Sequence, residues 1–286
     1  MSNKAKDLGI VAIGITGMFL VYWIYSIFLA DYLPLSDDLK TVIGKVIFLV
    51  FGLGVFLIAT KKMENIAIPK NKVSAKTLII CFLLQFTALM FTMILLFMNI
   101  ALTTAFGGKD SSTDISALSP LTLILLLVIN PILEEFIFRH LLAKKMLKHG
   151  ERFYIFVSAY CFAIAHGVSL GVIQIGYTFI LGMIYSFLMV KTGNIVLVMI
   201  LHSLSNLFGG VIFQTLSNVS VGVAAVYLLL VMVLGVIGLI LFLINRRNII
   251  LDGSQGLVEK HTFKDLATNK GVILYSAITF IMILLK

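Results

Sequence analysis

The distribution of apolar residues is the feature of this sequence that most limits its fold. Apolar segments recur nine times, at about 8–30, 41–59, 77–106, 118–143, 153–169, 171–190, 194–216, 221–244 and 271–285. Most of them approach the roughly 20 residues that an α-helix needs to cross a bilayer. Because 60% of the 286 residues are hydrophobic and only 12% are charged, a soluble domain is excluded. We therefore predict an all-α polytopic membrane protein, a bundle of about eight to nine transmembrane helices.

The basic residues predict how this bundle is oriented. With the N-terminus in the cytoplasm, the basic loops fall on the cytoplasmic side, as the positive-inside rule requires. These loops carry Lys61, Lys62, Lys70, Lys72, Lys76, Lys144, Lys145, Lys148, Arg152, Lys191, Arg246 and Arg247, whereas Asp31, Asp37, Asp38, Asp110 and Asp114 fall on the other side. The same distribution explains the formal charge of +9. We expect a multi-pass protein of the cell membrane, with the lipid bilayer and no nucleic acid as a partner.

Nothing in the sequence divides the chain, since it has no clear internal repeat, Pro- or Ser-rich linker or low-complexity tract. We predict one transmembrane domain over residues 1–286.

The two cysteines, Cys81 and Cys161, lie in separate apolar segments and are expected to pack rather than to form a disulfide. The short last segment, 271–285, either crosses the membrane or lies in its interface. Before it, residues from about Leu257 to Leu266 form either a short amphipathic helix or a solvated linker.

The fourth segment holds charges where a charge is costly. Glu134, Glu135 and Arg139 lie inside an apolar run, and one ionised side chain at the centre of a membrane helix costs roughly 2.5–3.5 kcal/mol. Glu135 and Arg139 are four residues apart, so they share a helical face and predict an ion pair. Glu134 points about 100° away and is left as the candidate general base. A buried ion pair that only locks helix packing is the structural alternative, but it does not explain Glu134.

Two later segments each place polar residues on one helical face. Phe162 and His166 are four residues apart, and so are His202 and Asn206. At about 1.5 Å per residue from the predicted cytoplasmic ends, Glu134 is roughly 15 Å deep and His166 roughly 20 Å. On the same count, His202 is roughly 12 Å deep and Asn206 roughly 18 Å. We therefore expect these side chains to share one cavity in the cytoplasmic half of the membrane.

Such a cavity would contain the groups needed to hydrolyse an amide bond. Glu134 can act as a general base while His166 helps to orient the attacking water. His202 and Asn206 can donate hydrogen bonds to a developing oxyanion. No serine or cysteine nucleophile is needed, because those beside the two histidines face away from them. The residues thus favour direct attack by water.

Glu134-Glu135-x-x-x-Arg139, Phe162-x-x-x-His166 and His202-x-x-x-Asn206, in this order, resemble the motifs of a family of intramembrane endopeptidases. This is the CAAX-protease and bacteriocin-processing family (CPBP, also called Abi). The resemblance covers about 118–216, which we expect to be the catalytic core. It implies that Glu134 with His166 activates water and that His202 and Asn206 form the oxyanion site. It also implies that Glu135 and Arg139 support these residues.

The resemblance leaves the metal content open. Glu134, His166 and His202 could supply three zinc ligands with an open position for water. The sequence has no H-E-x-x-H motif, and asparagine is an unusual zinc ligand but a good oxyanion donor. We therefore prefer a site without metal or other cofactor.

The substrate is also open. Eukaryotic family members trim prenylated C-termini, and bacterial relatives are linked to the maturation of secreted peptides, quorum signals or bacteriocins and to self-immunity. We expect a membrane-associated or lipophilic peptide or protein that enters from the cytoplasmic leaflet; the sequence does not fix the oligomeric state. The alternatives are a non-catalytic immunity or scaffold protein and a proton-coupled transporter. A transporter is expected to show repeated halves, which this sequence lacks.

Overall fold

The computed structural model describes residues 3–105 and 118–286. In this part of the chain, eight helices are long and apolar enough to cross a bilayer. They are α1 (Asn3–Tyr32), α2 (Asp37–Thr60), α3 (Ala75–Ala105), α4 (Pro120–His149), α5 (Glu151–Leu170), α6 (Val172–Thr192), α7 (Ile195–Val219) and α8 (Val221–Asn248). A short antiparallel ribbon follows, formed by β1 (Ile250–Leu251) and β2 (Ser254–Gln255). The chain ends with α9 (Thr262–Thr268) and α10 (Lys270–Leu285), which are bent by 70° and together could form a ninth span.

This architecture confirms the predicted all-α polytopic bundle. The helix starts follow from local sequence, since side chains that favour the N-cap position accept hydrogen bonds from backbone N–H groups of the first turn. These N-caps are Ser36, Ser119, Asn194, Ser220 and Asn269. The predicted end of the third segment at residue 106, and the predicted positions of Asp110 and Asp114, lie outside the described residues.

Small residues bring several helices into close contact. A Cβ atom added to Gly182 of α6 would lie 2.8 Å from the Cα of Ala159 on α5. At Gly238 of α8, an added Cβ atom would lie 2.6 Å from the carbonyl oxygen of Leu83 on α3. Such close approach of backbones is typical of membrane helices, where packing replaces the hydrophobic drive that acts in water. The two cysteines are free and buried, as their predicted packing role requires.

The last apolar segment packs against α1 and α5 and leaves its other face exposed. In α10, Gly271 lies against Gly9 of α1, where an added Cβ atom would come within 2.6 Å of a carbonyl oxygen. The Tyr275 hydroxyl donates to the carbonyl of Cys161 on α5 at 2.6 Å. The helix predicted around 257–266 begins later, at Thr262, and is only seven residues long.

The basic loops that were predicted to face the cytoplasm share one end of the bundle. There the Asp252 carboxylate accepts hydrogen bonds from the backbone N–H groups of Glu151 at 2.7 Å and Arg152 at 3.1 Å. Gly150, the N-cap residue of α5, has no side chain that could accept a hydrogen bond. Asp252 therefore provides the acceptors for the first backbone N–H groups of α5. At the same end, Lys191 donates to the carbonyl of Ile250 at 2.6 Å. The cytoplasmic orientation of this end and the single-domain organisation of the chain remain predictions.

Candidate active site

Glu134 is the point at which the three motif helices meet. Its Oε2 atom lies 3.3 Å from Nε2 of His166 on α5 and 3.7 Å from Nε2 of His202 on α7. The side chain of Glu134 is 21% exposed and that of His166 17%, whereas His202 is only 5% exposed. The structure therefore brings together three of the four side chains that were expected to share a cavity, with Glu134 and His166 partly exposed and the Oε2 atom of Glu134 buried.

Glu135 connects His202 to Arg139 in the interior. Its Oε1 atom lies 2.8 Å from Nδ1 of His202, and its Oε2 atom lies 3.1 Å from Nε of Arg139. Both Glu135 and Arg139 are fully buried, and an ion pair so far from water needs its geometry fixed by neighbours. The predicted pairing of Glu135 with Arg139 is confirmed. Glu135 holds the ring of His202 so that its other nitrogen faces Glu134.

Aromatic rings complete the surroundings of this pair. The guanidinium carbon of Arg139 lies 4.2 Å from the centre of the Phe162 ring and 5.3 Å from that of Tyr185, distances at which a cation is attracted to a ring face. The Tyr185 ring stacks on His202 at 5.1 Å with an interplanar angle of 25°. Phe162 belongs to a sequence motif, but Tyr185 on α6 was missed because one tyrosine in an apolar helix forms no pattern.

A π-helical turn that carries Arg139 is anchored by two hydroxyl groups of α5. The turn spans Phe136–Leu141. The Ser158 hydroxyl donates to the carbonyl of Phe138 at 2.8 Å, and the Tyr154 hydroxyl donates to that of Arg139 at 3.1 Å. Single π-helical turns are frequent at functional sites because they leave carbonyl groups unpaired and rotate the side chains that follow.

Asn206 is held by a break in α4. Pro131 has no N–H group, and a π-helical turn precedes it, so carbonyls four and five residues earlier lose their partners within the helix. The amide of Asn206 donates to the carbonyl of Leu126 at 2.8 Å, and the hydroxyl of Ser203 donates to that of Leu127 at 2.6 Å. One N–H of the Asn206 amide is thus used in positioning. Its predicted oxyanion role stays a prediction.

A zinc ion would need three protein ligands around one position. Glu134, His166 and His202 have donor atoms that suit zinc. Within residues 3–105 and 118–286, however, no group of three or more His, Cys, Asp or Glu side chains is arranged to hold a metal ion. The preference for a site without metal stays a prediction.

Comparison with known protein families gives a match over the motif helices. Residues 116–208 match a protein-family model described as type II CAAX prenyl endopeptidase Rce1-like. This part of the chain is similar to that family. The matched residues include all six predicted site residues, and the match confirms the resemblance to the CPBP family. The Rce1-like match supports a CAAX-type intramembrane protease, which is a hydrolase, and with the eight apolar helices it indicates a multi-pass membrane protein. No curated protein and no solved structure matches the chain.

Proposed function

We propose that the protein is an endopeptidase of the cell membrane that hydrolyses a membrane-associated or lipophilic peptide. The observation that carries this proposal is the approach of two imidazole Nε2 atoms to one carboxylate oxygen of Glu134, at 3.3 and 3.7 Å, inside a bundle of apolar helices. The Rce1-like match over the same helices supports it. Maturation of a signalling peptide or a bacteriocin fits such a site.

The hydrogen bonds of the two histidines define where a water would sit. Nδ1 of His166 lies 2.8 Å from the carbonyl oxygen of Phe162, and Nδ1 of His202 lies 2.8 Å from the Glu135 carboxylate. Both partners accept hydrogen bonds, so each Nδ1 carries the proton. Nε2 of His166, in the neutral ring, therefore faces Glu134 as an acceptor. We assign His202 as the cation, with Nδ1–H toward Glu135 and Nε2–H toward the reacting groups. A water beside Glu134 donates one hydrogen to its carboxylate and the other to Nε2 of His166, and presents its oxygen to a peptide.

In the proposed reaction, this water adds to the scissile carbonyl. Glu134 accepts the proton that the water loses, and the carbonyl oxygen becomes an oxyanion. The Nε2–H group of the His202 cation and the second N–H of Asn206 donate to that oxyanion. As the tetrahedral intermediate breaks the C–N bond, Glu134 passes its proton to the leaving amine. His166 orients the water, and Glu135 with Arg139 positions His202.

The test is the cleavage of a fluorogenic lipidated peptide by the protein reconstituted in liposomes. We expect Glu134→Gln to lower kcat by about 10²–10⁴, the usual contribution of a general base, without loss of folding or peptide binding. Glu64→Gln is the matched control, because Glu64 is exposed in the α2–α3 loop, and it should keep full activity. Activity should also survive a metal chelator, since no proposed step uses a metal.

The other function classes predict different results. A scaffold would show no cleavage by the natural protein and partner binding that Glu134→Gln does not change. A proton-coupled transporter would lose uptake in the same variant without any peptide being cut. Full cleavage by Glu134→Gln would refute the role of Glu134 as the base.

A further inference from the structure

The loop between α2 and α3, residues 61–74, packs against the turn that joins α6 to α7. The backbone N–H of Asn71 donates to the carbonyl of Thr192 at 3.3 Å. Beside this bond, Gly193 has a φ of 59°, and a Cβ atom added to it would lie 3.2 Å from Cγ of Lys70. The backbone of the loop and the aliphatic part of Lys70 are therefore both held against this turn.

An open cavity of about 640 Å³ lies between the loop and the turn. The lining side chains that can donate hydrogen bonds are those of Lys70, Asn71, Lys72 and Asn194. The side-chain oxygen of Asn194 already accepts hydrogen bonds from the backbone N–H groups of Val196 and Leu197, at 3.1 and 3.3 Å. No acidic residue of the described chain lines the cavity. Two ammonium groups and amide donors without an opposing carboxylate suit an anionic ligand.

The two lysines of the cavity have no acidic partner within the protein. At the same end of the bundle, Lys191 lies 3.7 Å from the Glu151 carboxylate. For Lys70 and Lys72, both exposed, no carboxylate in the part of the chain that the structure describes is within ion-pair distance. Their charge can therefore pair with an anion that enters the cavity.

The remaining lining residues make the cavity amphipathic. Leu78 lies in the first turn of α3, and Ile195 and Leu197 lie in the first turn of α7. Both helices run from this end into the bundle, so these apolar side chains lie on the membrane side of Lys70 and Lys72, which precede α3. A free phosphate ion would leave this apolar wall unused, whereas a phospholipid can place its phosphate at the lysines and its acyl chains along the wall.

We propose that this cavity binds the headgroup of an anionic phospholipid, with Lys70 and Lys72 at its phosphate. This site is separate from the proposed active site, because it lies at the starts of α3 and α7 and not at Glu134. A bound lipid would connect the loop to the start of α7, the helix that also carries His202.

The test measures the binding of a short-chain phosphatidylglycerol to the full chain in a neutral detergent by native mass spectrometry. We expect Lys70→Gln/Lys72→Gln to weaken binding by roughly 30-fold, the effect of two lysines beside an anionic lipid. Lys61→Gln/Lys62→Gln is the matched control, since it removes two charges from exposed positions of the same loop that do not line the cavity. This control should weaken binding by less than about threefold, because charges outside the site are screened.

Two further ligands test the identity of the occupant. A phosphatidylcholine of the same chain length has no net charge and should bind roughly 10-fold more weakly to the natural protein. Glycerol phosphate, which has the phosphate but no acyl chains, should not displace the phosphatidylglycerol at equal concentration.

Three outcomes would overturn the proposal. Equal losses in the two double variants would mean that the basic end attracts anions without a defined site. Equal binding of the two lipids would exclude recognition of the net charge. Full displacement by glycerol phosphate would assign the cavity to small anions instead of a lipid. None of these measurements depends on whether the protein cuts a peptide, so the lipid site and the protease assignment can fail independently.

Discussion

Removing one member of the buried Glu135–Arg139 pair should destabilise the protein more than removing both. The two side chains are fully buried with their charged atoms 3.1 Å apart. Arg139→Met keeps the length of the side chain but leaves the carboxylate without its cation, which costs about 3–5 kcal/mol. Loss of the contact between the guanidinium and the Phe162 ring, at 4.2 Å, adds about 1–2 kcal/mol. We therefore expect Arg139→Met to lower the free energy of unfolding by about 4–7 kcal/mol.

The double variant Glu135→Met/Arg139→Met removes both charges. Apolar replacement of a buried ion pair is often close to neutral, so the main remaining cost comes from His202, whose Nδ1 loses an acceptor at 2.8 Å. That loss is worth about 1–3 kcal/mol. The double variant should therefore be more stable than Arg139→Met alone. It should still be inactive, because nothing then fixes the ring of His202 toward Glu134.

Trp23 provides the measurement, since it is the only tryptophan of the chain and is 3% exposed in α1. Its fluorescence can follow unfolding in detergent micelles for the natural protein, the single variants Glu135→Met and Arg139→Met, and the double variant. Peptide cleavage is measured on the same samples. If the stability lost in the double variant equals the sum of the losses in the two single variants, the two charges are not coupled. A stable and active double variant would refute the role of Glu135 in positioning His202.

Two further predictions concern the scaffold. Gly182→Ala should lower stability by about 1–3 kcal/mol, because the new methyl group would lie 2.8 Å from the α5 backbone. Gly176→Ala in the same helix is the control: its methyl group would have nothing within 4 Å, so it should be neutral or stabilising by up to about 1 kcal/mol. Equal thermal midpoints of the two variants would contradict this prediction. Asp252→Asn should lower stability by roughly 1 kcal/mol, because it weakens the cap at the N-terminus of α5. The loss of stability should be smaller at high salt. A loss of the same size at low and high salt would show that the charge of Asp252 is not its cause.

The membrane helices could be predicted closely because each is encoded by a continuous local signal. A long apolar run between polar residues sets the length of a span, and residues such as Ser119 and Asn194 set its start. The β-ribbon was not predicted, although Asp252-Gly253 is the dipeptide expected in a two-residue hairpin turn and both residues have positive φ. Its strands are two residues long, too short for any alternation of apolar and polar side chains to appear.

The site was predictable where its residues repeat at the helical period. Glu135 and Arg139 could be paired from their spacing alone, because that interaction lies within one helix. Tyr185 could not be placed, since its contacts depend on how α6 packs against other helices.

Pro131 shows why the relative placement of two motif helices is a tertiary property. The proline leaves the carbonyls of Leu126 and Leu127 without partners in α4, and these are the two groups that bind Asn206 and Ser203 of α7. With those two side chains fixed to α4, the neighbouring His202 is turned toward the paired glutamates. Pro131 thus weakens α4 but provides the carbonyl groups on which α7 docks. Glu134 and His202 meet because of this break in α4.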